Sequence, residues 1–270
     1  MGDSFLDRPD GRLAYDVSGE GPLVVLMPGL GDVRSTYRFL APALVAAGYR
    51  VATVDLRGHG ASDTTFASYD DVAAGGDLIA LVRHLGGGPV TLVGSSMAAG
   101  AAVWAAAEEP HLVSGTVLLG PYVRNPPASW TARLVTGLVL RKPWGIAATG
   151  AFIASLHKGT RPPDLAEHVA RIKASLRRPG AWQAFRRTAA TSHEPVTPRL
   201  SEVTAPALIV MGERDPDFAD PRAEAEFVAG ALGGPATVTM VPDAGHYPHS
   251  QRPDLVAPAV IGHLGAVAAG

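Results

Sequence analysis

The pentapeptide Gly94-Ser95-Ser96-Met97-Ala98 stands between an apolar run and an Ala-rich segment. A side chain at a tight strand-to-helix turn is thrust clear of the fold, and the strained backbone there needs small residues two before and two after it. Gly94 and Ala98 meet that need, which makes Ser96 the candidate nucleophile. A helix N-terminus at this point would also favour developing negative charge. Serine is equally a common helix N-cap, so the pentapeptide alone leaves both readings open.

A serine hydroxyl needs a base, and the base needs an orienting carboxylate. Among nine histidines, His246 stands out in Asp243-Ala244-Gly245-His246-Tyr247-Pro248, a loop following an apolar run. His249 is a close competitor, and His246 with His249 resembles a metal pair, although no third ligand is suggested nearby. Asp215, in Gly212-Glu213-Arg214-Asp215, follows another apolar run, with Asp217 and Asp220 as alternatives. The order Ser96, Asp215, His246, each just past a buried run, is the nucleophile-acid-base order of one fold. Two N–H donors for an oxyanion are expected from Met97 and from Leu30, the latter in Pro28-Gly29-Leu30-Gly31-Asp32. That loop is a poor dinucleotide motif, because Arg34 stands where G-x-G-x-x-G needs its third glycine.

Positioning these groups calls for parallel strands. Continuous apolar runs occur at 23–27, 50–55, 89–94, 115–120, 206–212 and 236–241. Such runs suit strands buried on both faces. Helical spacing fills the intervals Tyr37–Ala47, Asp71–Leu85 and Met97–Glu109, with Ser68 and Asp71 resembling a capping box. Asp10-Gly11 suggests an N-terminal hairpin. Strand–helix alternation predicts an α/β fold with a mostly parallel, doubly wound sheet. It breaks between Pro121 and Ala205, where no strand is evident. This stretch holds Trp130, Trp144, Trp182 and all three lysines (Lys142, Lys158, Lys173), and with 13 basic and 4 acidic residues it carries +9. The reading is a core of residues 1–120 and 206–270 with a helical insertion, 121–205, after the sixth strand and over one edge of the sheet.

At 270 residues, 47% hydrophobic and 18% charged, the chain is long enough for a large core and is not mainly disordered. A net charge of −2 gives no overall pull toward nucleic acid or membrane. The absence of cysteine removes disulfides, thiolate metal sites and a thiol nucleophile. The N-terminal residues hold no signal-peptide core, Leu6 breaks the myristoylation pattern, and no apolar run reaches membrane-spanning length. A soluble cytoplasmic protein without membrane span is expected, its oligomeric state open and a homodimer among the options.

These motifs together resemble the α/β-hydrolase superfamily, specifically its serine hydrolases with a helical cap. Asp55-Leu56-Arg57-Gly58-His59-Gly60-Ala61-Ser62-Asp63 resembles the family's D-x-R-G-x-G-x-S segment, Gly212-x-x-Asp215 its acid loop and Gly245-His246-x-Pro248 its histidine loop. The resemblance implies a mainly structural role for the segment around Asp55, so His59 is not assigned to catalysis. Two departures are Pro28-Gly29 where the family often has His-Gly, and Ala98 where it usually has Gly. A serine at 96 disfavours the relatives that use a carboxylate nucleophile.

The implied function is hydrolysis of a small-molecule ester or other acyl substrate through an acyl-enzyme, needing no metal or organic cofactor and no nucleic acid. Lactonase and perhydrolase activity would use the same groups. Carbon–carbon bond hydrolysis of a dienoate diketone is an alternative, suggested by the Ser96-Met97 step and the basic insertion. A ligand-sensing protein that retains the triad is another, with Arg177-Arg178 and Arg186-Arg187 as the densest points of a binding face.

Overall fold

A computed structural model describes residues 4–125 and 144–269. Trp130 and Lys142 lie outside the described residues. The apolar runs form six parallel strands, β3 (Leu23–Met27), β4 (Arg50–Val54), β5 (Val90–Ser95), β6 (Val113–Leu119), β7 (Ala207–Gly212) and β8 (Ala236–Val241). The N-terminal hairpin, β1 (Ser4–Arg8) and β2 (Gly11–Ser18), adds two antiparallel strands at the β4 side. The order across the eight-stranded sheet is β1-β2-β4-β3-β5-β6-β7-β8.

Alternating residues of one strand serve two separate cores, which is why the runs are apolar throughout. Val25 and Met27 of β3, with Ile209 and Met211 of β7, join a layer under α2 (Asp71–His84), α3 (Met97–Glu108) and α7 (Pro221–Ala231). Val24 and Leu26, with Leu208 and Val210, face α1 (Leu40–Ala46) and α9 (Pro253–Ala269). β5, central in the order, and β7, next to the edge, are buried along their whole length, while the edge strand β8 is only partly covered.

Two local expectations are corrected. The helix expected from Tyr37 begins only at Leu40, after a 3₁₀ turn at Arg34–Tyr37. Pro42 has no N–H for the bond that an earlier start would require, and it is tolerated only in a first turn. Tyr37 is instead buried in the core, its hydroxyl donating to the Met27 carbonyl at 2.6 Å. At α2 the cap is Asp70, which accepts from the Ala73 N–H at 2.8 Å; Ser68 instead accepts from Arg57.

Between β6 and β7 the described chain forms helices α4 (Gly145–Leu156), α5 (Leu165–Arg177) and α6 (Ala181–Thr188). They lie over the loops that follow the parallel strands. Ile153, Leu156, Ile172, Leu176, Trp182 and Phe185 pack with Val33 and Tyr247 into one apolar cluster. Polar bonds fasten the same helices down. Arg178 donates to the Gly60 and Ser62 carbonyls, Arg187 to those of Phe66 and Ala67, and Arg38 grips Asp164 with two nitrogens. Two of the insertion's arginines, Arg178 and Arg187, are thus spent on backbone oxygens of the sheet's loops. Trp144 is exposed, whereas Trp182 is buried. Among the described residues no helix is long and apolar enough to cross a membrane.

Candidate active site

Ser96 sits between β5 and α3 with φ 54° and ψ −123°, one of two non-glycine residues among those described with positive φ. A turn this tight leaves no room for a side chain at position 94. A Cβ on Gly94 would lie 2.2 Å from the Ala98 carbonyl oxygen and 2.6 Å from the Ala99 nitrogen. The Ser96 side chain makes no capping bond to the helix it precedes. The N-cap reading of this serine is thus overturned, since its backbone lies outside the extended region that caps use.

Asp215 follows β7 and His246 follows β8, and both side chains are buried. His246 Nδ1 lies 2.8 Å from Asp215 Oδ2, while Asp215 Oδ1 accepts from the Asp217 N–H at 3.0 Å. The His246 N–H donates to the Leu156 carbonyl at 3.0 Å, so the histidine loop is tied to the end of α4. Burial works against charge on His246, but the Asp215 carboxylate, with Asp217 behind it, pushes its pKa up to about 8. Asp217 lies 3.6 Å from Nδ1, and burial raises its own pKa despite the nearby imidazole. Asp220, the other alternative, caps α7 by accepting from the Ala223 N–H.

Ser96 and His246 line one cavity of about 310 Å³, together with Leu30, Met97, Tyr122 and Asp217. Thus the structure brings Ser96, His246, Leu30 and Met97 to one space, with Asp215 behind the histidine. Met97 opens α3, so its N–H has no partner four residues back within the helix. Across from it, a Cβ on Gly29 would fall 2.7 Å from Ser96 Cβ and 2.8 Å from the Ser95 carbonyl oxygen. Only glycine lets the loop carrying Leu30 approach the serine so closely. A larger open groove of about 1080 Å³ lies elsewhere, lined by Arg34, Arg38, Arg171 and Arg178. Those arginines are engaged by Asp16, Asp55, Asp164, Glu167 and backbone carbonyls.

The 29–32 loop is held by two buried partners that spacing did not reveal. His59 Nε2 accepts the Gly31 N–H at 3.1 Å, and its Nδ1 lies 2.8 Å from the Arg57 carbonyl. Burial lowers the pKa of His59, which keeps Nε2 free of a proton and able to accept. Asp32 is held by His168 of α5 at 2.8 Å and by the Val33 N–H at 2.7 Å. Burial alone would raise Asp32, yet the His168 ring and that N–H keep it below the ordinary carboxylate range. Asp55 is a structural hub, accepting from the Arg34 and Ala61 N–H groups and the Arg34 guanidinium.

His249 does not join His246 in a group of three or more ligands among the described residues. Its Nε2 lies 3.0 Å from Thr36 Oγ1, and burial drives its pKa down to about 3. Among the described residues Asp215, Asp217 and His246 do converge, their donor atoms within 4.8 Å of one another. The Nδ1 a cation would use is already hydrogen-bonded to Asp215.

The model of a family described as the alpha/beta hydrolase family matches residues 24–259. The chain belongs to that family. A full-length relative is the 2-(acetamidomethylene)succinate hydrolase of Mesorhizobium japonicum, 29% identical, with 98% of this chain and 97% of that protein covered. A probable esterase of Oryza sativa subsp. japonica is 28% identical over 92% of this chain and 94% of its own length. Among solved structures, a serine hydrolase involved in carbazole degradation (CarC enzyme) superimposes with a TM-score of 0.81 at 18% identity, covering 98% of this chain and 99% of that one. At that identity the likeness concerns the fold alone.

Proposed function

We propose that this hydrolase cleaves carboxylic esters of small molecules through a covalent acyl-enzyme. The observation that carries the reading is one cavity that joins a strained Ser96 to a buried His246–Asp215 pair. With Nδ1 given to Asp215, the imidazole keeps Nε2 for the serine. Ser96 Oγ attacks the carbonyl carbon as Nε2 takes its proton. The carbonyl π pair moves to oxygen, and the Leu30 and Met97 N–H groups hold the resulting oxyanion. Collapse breaks the bond to the alcohol oxygen, which leaves with the proton from His246. Water, deprotonated by the same nitrogen, attacks the acyl carbon and restores Ser96 as the acid departs.

Residues 121–205 act as the cap in this reading, and residues 1–120 and 206–270 as the core. The described lining contains Phe152, Ile153, Leu156 and Phe185 beside Thr149, Thr188 and Asn125, with neither lysine nor arginine. A neutral, partly apolar acyl substrate suits it. The carbon–carbon reading wants a cation for an anionic dienoate, and the described arginines of the cap that bind the core are engaged elsewhere: Arg178 and Arg187 by carbonyl oxygens, Arg124 by Glu224 and Arg199 by Glu108. The same engagement removes Arg178 and Arg187 from a docking face for an anionic partner and leaves Arg177 and Arg186 exposed.

Replacing Ser96 with alanine tests the proposal. Turnover of p-nitrophenyl butyrate should fall by at least ~10³-fold, with loss of labelling by a fluorophosphonate. Turnover within threefold of the wild type would exclude Ser96 as the nucleophile.

A further inference from the structure

A second histidine–aspartate pair borders the same cavity and is used by nothing above. His193, in the turn after α6, lines the cavity, and its Nδ1 lies 2.6 Å from Asp71 Oδ2. Asp71, the first residue of α2, has no solvent exposure, and burial raises its pKa although His193 counters the effect. Its other oxygen, Oδ1, has no hydrogen-bond partner among the described residues, so its bonding is directed to His193. The turn itself is pinned. The His193 N–H donates to Asn125 Oδ1 at 2.9 Å, and its carbonyl accepts from the Val196 and Thr197 N–H groups. The Tyr122 ring stands between the two imidazoles, 5.9 Å from His193 and 6.1 Å from His246 by ring centroids. His193 and Ser96 thus line one cavity, with the Tyr122 ring in contact range of both imidazoles.

We propose that His193 is a specificity-determining residue whose Nε2 accepts a hydrogen bond from a hydroxyl or amide N–H on the acyl substrate, with Asp71 as its positioning residue. The assignment rests on the serine-hydrolase reading above. In the neutral ring, a carboxylate that accepts at Nδ1 fixes the tautomer and leaves Nε2 as the acceptor. Among the described residues no group is hydrogen-bonded to Nε2, and Thr188, Thr191 and Asn125 make this part of the lining polar. A buried acceptor held by its partners discriminates by what it leaves unpaired: a substrate that brings a donor is favoured over one that brings a methylene. The pair also ties α2 to the cap, and a purely structural tie is the alternative to be separated.

The test compares kcat/KM on three p-nitrophenyl esters, pentanoate, 3-hydroxybutanoate and N-acetylglycinate. Each variant is referred to its own pentanoate value, which cancels intrinsic ester reactivity and general damage. His193→Leu should lower the ratio for the donor-bearing esters about tenfold, His193→Gln should restore part of it, and Asp71→Asn should lower it about threefold. A response of only the hydroxylated ester assigns the donor as O–H, and of only the acetamido ester as N–H. Equal losses on all three esters, with Ser96 still labelled by a fluorophosphonate, would leave the pair as a structural tie and overturn the assignment. A wild-type chain that neither labels nor turns over any ester would remove the serine-hydrolase reading and this assignment with it.

Discussion

Changing Asp215 to asparagine probes the electrostatics of the proposed base. His246 is raised from the ordinary 6.5 to about 8 because the carboxylate's pull outweighs complete burial. A base must be neutral to take the Ser96 proton, so kcat/KM should climb with pH and reach half its plateau near pH 8. The gain between pH 7 and pH 9 should be about tenfold. Asparagine keeps a hydrogen-bonding oxygen but not the charge. Burial then dominates, and the inflection should move down by more than a unit, a change on the order of 2 kcal/mol in favour of the neutral ring. The plateau should fall about 10³–10⁴-fold, because an uncharged partner no longer stabilises the imidazolium. The assay is p-nitrophenyl butyrate hydrolysis from pH 6 to pH 9.5 with the spontaneous rate subtracted. Stability follows with a definite sign. A group whose pKa rises on folding contributes fully below its ordinary value of 6.5, and the contribution disappears as pH passes through about 8. Wild-type Tm should therefore lose more than that of Asp215→Asn over this interval. A wild-type inflection at or below 6.5, or one unmoved by the substitution, would refute the reasoning.

Two other outcomes test how the site is built. His59→Leu removes the acceptor of the Gly31 N–H and should lower kcat about 10- to 100-fold with KM changed less than threefold, since the Leu30 donor would drift from the oxyanion; steady-state kinetics check it. Arg178→Met leaves the Gly60 and Ser62 carbonyls without their donor from the helices between β6 and β7, and limited proteolysis should cut residues 144–205 several-fold faster, with Tm lower by a few degrees.

Why some of this could be read from residue order, and some could not, comes down to the range of the forces involved. Strands such as Leu23–Met27 and Ala207–Gly212 are legible because burial on both faces makes every position apolar. The turn around Ser96 is legible because its backbone excludes a side chain at position 94. Helix starts were less so: Pro42 and the buried hydroxyl of Tyr37 overrode the helical spacing, and Asp70 displaced Ser68 as a cap. In the +9 segment, spacing did not show that Arg178 and Arg187 bond to carbonyls more than a hundred residues away in the chain, while their neighbours Arg177 and Arg186 are exposed.

The amino-acid order by itself determined the two-sided parallel sheet, the break in strand–helix alternation between β6 and β7 and the candidates Ser96, Asp215 and His246, since each is written in local spacing and local steric need. The folded molecule alone decided that His59 holds Gly31, that His168 holds Asp32, and that Asp71 meets His193 across 122 positions. Side chains so distant in the chain acquire partners only when packing removes them from water. Once buried, a polar atom left without an acceptor or donor is costly, so most of them bond to whatever lies beside them.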